Sequence, residues 1–199
     1  MRRAHSEVTD PQEIAKILDS TNIGCLATID NNGYPYITPV NFVYYQGRIY
    51  FHCALTGEKL DNIKSCPKVC FEVDVPLAYL EVAFNDQKSP CATHQLFHCV
   101  IIRGTAAVVE APDLKAAALN ALVAKHEKHD NFKPVTPETP EFKACHVVEV
   151  TPENMTAKSD LLQNRSEDRR RLMAEKLVQR GHAHDLIAVK AMGFDPQNM

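Results

Sequence analysis

Residues 23–75 decide the fold, because they contain two runs of strand-like sequence. The first run reads PYITPVNFV over residues 35–43, and the second reads YFHCALTGEKL over residues 50–60. Both runs are rich in β-branched and aromatic residues, and turn sequences lie nearby at Asn31-Asn32-Gly33 and Gln46-Gly47. This alternation of strand and turn signals predicts two strand–turn–strand units with a short helix at their end.

Lys59 lies near the end of the second run, in the first turn of that predicted helix. The free N–H groups of a first turn favour an anion, and an ammonium group adds a positive charge, so this position can bind a phosphate. The same pattern also fits a surface lysine on a helix whose Leu60 and Ile63 pack on the sheet. The spacing leaves both interpretations open. His52 likewise fits either a buried structural histidine or a contact to a ligand ring.

The composition restricts the class of protein. The chain has 199 residues, 45% of them hydrophobic and 24% charged, which is typical of a globular protein with a sizeable core. A formal net charge of −3 gives no general attraction to nucleic acid or to an anionic membrane. The sequence contains seven cysteines in no recognisable disulfide pattern, no apolar leader and no run of ~18 apolar residues. We therefore expect a reduced, cytoplasmic protein that does not span a membrane.

The rest of the chain predicts helices on both sides of a β-rich region. Proline at two positions of the strand over residues 34–45 places that strand at a sheet edge or bend. Turn residues over 77–93 predict a long loop, and Pro152 is expected to turn the chain after its last strand. The other predicted elements are a helix from Pro11 to near Ser20, strands 23–29, 69–75, 97–109 and 143–151, a helix over 112–126, and two helices between Ser166 and Gly193.

Histidine and cysteine side chains cluster in the sequence near residue 95. Cys91, His94, His98 and Cys99 are irregularly spaced and do not match the paired ligands of a zinc site, so we predict no metal. The sequence also lacks a phosphate-binding glycine loop, a dinucleotide fingerprint and a nucleophile elbow. No local set of residues forms a hydrolytic triad. The catalytic residues are therefore unknown at this stage.

Several segments taken in order carry a family resemblance. They read GYPY at 33–36, TPVNFVY at 38–44, GRIYFHCA at 47–54, GEKLDNI at 57–63 and PKVCF at 67–71. As a set, they resemble the pyridoxamine 5'-phosphate oxidase-like FMN-binding split-barrel family, in the branch of the nitroimidazole-resistance flavoproteins. The opening residues 1–3 and the helix after Pro11 are similar to that branch as well, and the resemblance extends to about Val150.

The resemblance implies a mainly β fold, namely a six-stranded antiparallel split barrel with flanking helices. It would occupy residues 1–158, and residues 159–199 would form a helical C-terminal extension. The resemblance also implies a homodimer that binds FMN at the subunit interface. The residues it assigns to the cofactor are Thr38, Pro39, Val40 and Asn41 at the ring, His52, Cys53 and Ala54 beside the ribityl chain and phosphate, Lys59 at the phosphate, and Cys99 near the ring.

The chain departs from the family pattern at two places. That branch commonly has Gly-His-Lys where this chain has Gly57-Glu58-Lys59, and a carboxylate does not help to bind phosphate. It also has Tyr-Arg-Ser-Val where this chain reads FHCV over residues 97–100, so three polar groups near the cleft are lost. The arginine pattern with which vitamin B6 oxidases bind their substrate phosphate is absent, so we do not expect that activity.

The function implied by the resemblance is an FMN-dependent oxidoreductase, with the reduction of nitroaromatic or quinone-like small molecules as its candidate activity. Two alternatives remain open. One is a flavin-binding protein without turnover, such as a carrier, an electron-transfer partner or a redox sensor. The other is haem binding on the same barrel, with His52, His94 or His98 as an axial ligand.

The apolar segments at residues 100–102 and 106–109 bear on the assembly. They carry more apolar surface than the interior of one small barrel needs, and a second copy of the chain could cover the excess. The rival interpretation buries the same residues under the helix over 112–126 and the helices of the tail, which would leave a monomer.

Overall fold

The computed structural model describes residues 4–127, 129 and 131–199. Residues 1–3, whose sequence also resembles the family, lie outside the described residues. The described residues form eight strands, β1 (Glu7–Val8), β2 (Ile23–Ile29), β3 (Pro35–Asn41), β4 (Val43–Tyr45), β5 (Arg48–Cys53), β6 (Lys68–Leu80), β7 (His94–Val108) and β8 (His146–Asp160). They also form five α-helices, α1 (Pro11–Asp19), α2 (Glu58–Ser65), α3 (Pro112–His126), α4 (Glu167–Arg180) and α5 (Ala183–Ala191).

The chain divides into two compact units. The barrel unit consists of Asp10–Val73 and Val100–Thr156, and the helical unit consists of Met1–Thr9, Asp74–Cys99 and Ala157–Met199. Strands β6, β7 and β8 therefore contribute residues to both units. The division predicted from the sequence, with a boundary between residues 158 and 159, stays a prediction.

The strands form a curled antiparallel sheet in the order β3–β2–β6–β7–β8–β5–β4, and β1 pairs with β8. This arrangement confirms the mainly β split barrel with flanking helices. The predicted count of six strands is wrong, because the sheet path has seven strands and β1 adds an eighth. One extra strand results from a break at Phe42, which separates β3 from β4. Phe42 is fully buried, and its N–H donates to the Asn22 carbonyl oxygen.

β3 lies at one edge of the sheet, as its prolines predicted. It pairs antiparallel with β2 alone in the strand order, in a register that runs from Ile23 opposite Asn41 to Ile29 opposite Pro35. A proline has no N–H to donate to a ladder, and an edge strand needs partners on one side only. Pro35 and Pro39 therefore fit within β3 without interrupting it.

Two predictions about strand ends are wrong. The predicted loop over residues 77–93 begins later, because β6 continues to Leu80 and buries Leu77 in the core of the helical unit. β8 continues through Pro152 to Asp160, so the chain does not turn at that proline. β8 lies very close to β7 next to Pro152. An added Cβ at Gly104 of β7 would lie only 2.0 Å from the Thr151 carbonyl oxygen of β8. Only glycine allows the two backbones to approach so closely.

α3 covers one side of the barrel unit. Its Ala118 and Leu122 are buried against Val43, Tyr50 and Val147 of the sheet. The helix has the bounds that the sequence predicted, because Pro112 suits a first helical turn and the apolar residues recur at helical spacing.

The helical unit has its own core around α4 and α5. Leu177 and Ala174 of α4 are buried with Val189 of α5 and Leu96 of β7. Ser166 caps α4 by accepting a hydrogen bond from the Arg169 N–H, as predicted from the sequence. Within the described ranges, no helix combines the length and the apolar character that crossing a membrane requires.

Candidate functional site

The connection from β5 to α2 forms a strand–loop–helix unit in the barrel unit. Gly57 precedes the helix with φ of 139°, a conformation that side chains other than glycine rarely adopt. The backbone N–H groups of Leu60 and Asp61 donate to the Gly57 carbonyl oxygen at 2.9 and 3.2 Å. Among the described residues, no side chain caps this helix. Its amino end therefore remains available to an anion.

Lys59 lies in the first turn of α2 and is half-buried, as the phosphate-site interpretation requires. Its Nζ lies 5.4 Å from the centroid of the Phe51 ring. Burial raises the pKa of the Cys53 thiol, while the nearby Lys59 ammonium opposes that rise. The fold thus brings Cys53 and Lys59 together. Glu58 is exposed, so solvent screens its carboxylate.

A buried hydrogen bond positions α2 on the sheet. Asn62 Nδ2 donates to Thr28 Oγ1 at 3.1 Å, and both side chains are buried. Ile63, the next residue on the helix, is buried beside them. The sequence analysis missed Asn62 and Thr28. The only signal in the sequence was a polar residue, Asn62, next to the apolar face of a short helix. Local sequence does not distinguish such a buried polar residue from one on the surface.

The four consecutive residues predicted to line the ring divide between the two faces of β3. Thr38 and Val40 point to the more buried face, whereas Pro39 and Asn41 are exposed on the other. Thr38 Oγ1 is buried and has no hydrogen-bond partner within the described part of the chain. A buried hydroxyl without a partner is costly, so this group fits a site that receives a polar atom from a ligand.

A cavity of about 450 Å³ lies in the barrel unit and is lined by both Asn41 and His52. α3 provides an apolar wall, since Leu119, Leu122 and Val123 line the same cavity. The sequence analysis predicted α3 but missed its role here, although the spacing of these residues places them on one helical face. A mainly apolar cavity with a few polar groups suits a flat organic ring.

The remaining predicted residues do not line this cavity. They lie in adjoining segments of the barrel unit, namely β3 (Thr38, Pro39 and Val40), β5 and the residue after it (Cys53 and Ala54) and α2 (Lys59). Cys99 is half-buried on β7 and belongs to the helical unit, so its assignment to the cofactor stays a prediction. Across the residues that the structure describes, no group of three or more histidine, cysteine, aspartate or glutamate side chains is arranged to hold a metal ion.

A network between β5 and β8 supports the strand that carries His52. The Tyr50 hydroxyl donates to Glu149 Oε2 at 2.7 Å, and the Arg48 guanidinium forms an ion pair with the same carboxylate. Burial, together with the hydrogen bond to Glu149, raises the pKa of Tyr50 to about 12. Tyr50 therefore stays protonated near neutral pH and acts as a hydrogen-bond donor that fixes β5.

The curled barrel defines a split-barrel protein, and the uncapped amino end of α2 and the cavity under α3 are its candidate site. Residues 10–159 match the model of the pyridoxamine 5'-phosphate oxidase family, and the chain belongs to this family. No curated protein matches the sequence significantly.

Solved structures share the fold at low sequence identity. A candidate 5-nitroimidazole antibiotic resistance protein from Bacteroides thetaiotaomicron is 22% identical with a TM-score of 0.64, over 77% of this chain and 86% of that chain. The flavocytochrome Anf3 from Azotobacter vinelandii is 20% identical with a TM-score of 0.65, over 80% of this chain and 72% of that chain. The FAD and haem binding protein from Mycobacterium smegmatis is 15% identical with a TM-score of 0.66, over 89% of this chain and 80% of that chain.

Proposed function

We propose that the protein binds FMN and acts as an FMN-dependent oxidoreductase on a small molecule of the nitroaromatic or quinone-like class. The observation that carries the proposal is the uncapped first turn of α2 with Lys59 inside it. Family membership supports a flavin in this place, and so do the similar folds that are named for flavin.

Each part of the site has a role in this proposal. The N–H groups of the first turn of α2 and the Lys59 ammonium hold the phosphate, because both attract an anion. The Asn41 amide offers a hydrogen bond to a polar atom of the ring from the exposed face of β3, and His52 lies beside the ribityl chain. The apolar wall of α3 excludes water from one side. The bound flavin supplies the electron or hydride transfer, which no side chain of this site can perform alone.

We also propose a homodimer with the cofactor at the subunit interface, supported by an apolar face on the outside of β2 and β3. Ile23 and Ile37 are 54% and 63% exposed, and Ile29 lies on the same face in register with Pro35. Monomers rarely leave such a face uncovered. Pro39 and Asn41 share this face, so a second copy placed there would also cover the proposed ring site.

The apolar segments that suggested a dimer from the sequence are explained within one chain. Val100, Ile102, Ala106 and Val109 are all buried, and Val109 packs with Ala118 and Leu122 of α3. The case for the dimer therefore rests on β2 and β3 instead.

An absorption spectrum of the purified protein tests the cofactor. We expect flavin bands, reduction of the flavin by NADH or NADPH, and its reoxidation by a nitroaromatic compound. A Soret band would support the haem alternative, and flavin bands without turnover would support a carrier or sensor. A protein that neither retains FMN nor binds added FMN would refute the proposal.

A further inference from the structure

The helical unit contains a cavity of about 670 Å³ that the proposed function does not use. None of the residues predicted to contact FMN lines it. Its volume falls in the range of about 300–1,000 Å³ that is usual for small-molecule sites. Unlike the cavity under α3, it combines guanidinium and imidazole groups with an apolar floor.

Two arginines near the start of α4 supply the positive charge. Arg165 and Arg169 both line the cavity; Arg165 lies two residues before the helix, and Arg169 lies in its first turn. Arg165 is exposed, and its guanidinium has no hydrogen bond or ion pair within the described ranges. Arg169 reaches Asp86 Oδ2 at 3.4 Å and the Phe84 carbonyl oxygen at 3.5 Å, which are long contacts that a stronger acceptor can replace. Guanidinium groups bind phosphate and carboxylate oxygens in a bidentate manner.

His94 is a third polar group, and it is held in a fixed orientation. Its Nε2 lies 2.9 Å from Asp160 Oδ1, and the Asp160 side chain is buried. A carboxylate that accepts from one ring nitrogen fixes the tautomer and leaves the other nitrogen for a ligand. With Nε2–H donating to Asp160, the neutral ring leaves Nδ1 as a hydrogen-bond acceptor, which suits a donor group on a ligand and not an oxyanion.

The floor of the cavity is apolar. Phe84 and Met173 line it, together with Leu80 and Leu162, and all four are buried in the core of the helical unit. A bare ion would gain nothing from these groups, whereas an organic molecule could bury part of its surface on them.

From these observations, we propose that the cavity binds a small organic oxyanion, that is, a phosphate or carboxylate attached to an apolar body. Arg165 and Arg169 bind the oxyanion, and the apolar body rests on Phe84 and Met173. The two acidic side chains at the cavity oppose this only weakly, because Asp86 is 80% exposed and screened by solvent, and Asp160 is paired with His94.

Isothermal titration calorimetry on the purified full-length protein tests the proposal. The probes are phenyl phosphate, benzoate, inorganic phosphate and the uncharged benzyl alcohol. We expect phenyl phosphate or benzoate to bind, inorganic phosphate to bind more weakly, and benzyl alcohol not to bind. Which of the two aromatic probes binds more tightly distinguishes a phosphate site from a carboxylate site. Failure of both in the millimolar range overturns the proposal, and so does inorganic phosphate binding as tightly as phenyl phosphate.

Variants test whether the aromatic probe binds in this cavity. Arg165→Ala removes no described side-chain contact and should weaken the aromatic probe roughly tenfold, the loss of one charge-assisted hydrogen bond. Adding Arg169→Gln should weaken it further. Arg171→Ala is the matched control, because Arg171 is an exposed arginine of α4 that does not line the cavity. This variant should bind the aromatic probe as the wild type does. Lys59→Ala should also bind normally; loss of probe binding in that variant alone would place the probe at the proposed FMN phosphate site and overturn the assignment.

Discussion

At the residue scale, two lysines illustrate how the same side chain serves different purposes. Lys59 places its ammonium near the amino end of a helix, where charge adds to the helix dipole. Lys125, in α3, is also half-buried, but its Nζ donates to the Leu18 carbonyl oxygen at 2.9 Å and lies 3.7 Å from the centroid of the Phe42 ring. The first arrangement leaves the charge available to a ligand, whereas the second uses it within the protein.

Lys59→Ala should weaken FMN binding by about 1.5–3 kcal/mol, the usual contribution of a hydrogen bond to a charged group. The loss should appear as a higher dissociation constant when apoprotein is titrated with FMN. Lys64→Ala is the matched control, because Lys64 lies in the last turn of the same helix and is exposed. Equal affinity in the two variants would remove Lys59 from the phosphate site.

Lys125 should make the stability depend on pH. Burial lowers its pKa from 10.5 to about 8, so between these values the unfolded chain holds a proton that the folded chain has released. Stability therefore rises with pH across this window, and the buried charge is costly below it.

In Lys125→Met this rise should disappear. Relative to the variant, the wild type should gain roughly 1–2 kcal/mol in free energy of unfolding between pH 8 and pH 10.5, a value reduced for the solvent screening of this half-buried group. Urea unfolding at several pH values measures it. Lys190→Met changes an exposed position of α5, so its free energy of unfolding should depend on pH as it does in the wild type. The same pH dependence in Lys125→Met as in the wild type would contradict the prediction.

At the scale of elements, the position of α2 depends on a polar contact as well as on apolar burial. Asn62 joins the helix to Thr28 of β2, and Thr28 Oγ1 also lies 3.4 Å from the Tyr36 carbonyl oxygen on β3. A short helix with one buried isoleucine gains little from packing alone. The hydrogen bond therefore sets where Lys59 stands relative to the sheet.

Asn62→Leu should lower the free energy of unfolding by about 1–3 kcal/mol, because it leaves the buried Thr28 hydroxyl without this partner. It should also weaken FMN binding, since Lys59 moves with the helix. The double variant Asn62→Leu/Thr28→Val should recover part of the stability, because both polar groups are then gone. Thermal unfolding and FMN titration measure the two effects. If the two losses simply added in the double variant, the coupling between the residues would be disproved.

At the scale of the whole molecule, the apolar outer face of β2 and β3 matters most. An edge strand with exposed isoleucines invites association, and a twofold dimer is the commonest way to cover such a face. Because Pro39 and Asn41 lie on the same face, assembly and cofactor binding should be linked.

Light scattering on the FMN-bound protein should give about twice the monomer mass of 22.3 kDa. Ile37→Glu should shift the protein towards monomer and weaken FMN binding, because a carboxylate would be buried in the interface. Ile187→Glu is the control, since Ile187 is also exposed (52%) but lies on α5. A mass near 22.3 kDa with the flavin fully bound would exclude the shared site.

Local sequence was enough to predict several elements and the central part of the candidate site. Pro112 and the spacing of Ala118 and Leu122 predicted α3, and Ser166 and Gly181 marked both ends of α4. Lys59 was placed in a first helical turn for the same reason. Each of these signals acts between residues that are at most a few positions apart, so the chain segment contains all the information.

Only the tertiary structure decided the features that depend on distant partners. β8 continues through Pro152 because Gly104, far away in the sequence, allows the close approach of β7. β3 ends at Asn41 because Phe42 turns into the core, and the Thr38 hydroxyl is buried only in the folded chain. The wall that α3 contributes to the cavity likewise depends on which face of the sheet the helix covers. Pairing and burial are properties of residues that meet only in the folded chain, whereas caps, turns and helical spacing are properties of the segment itself.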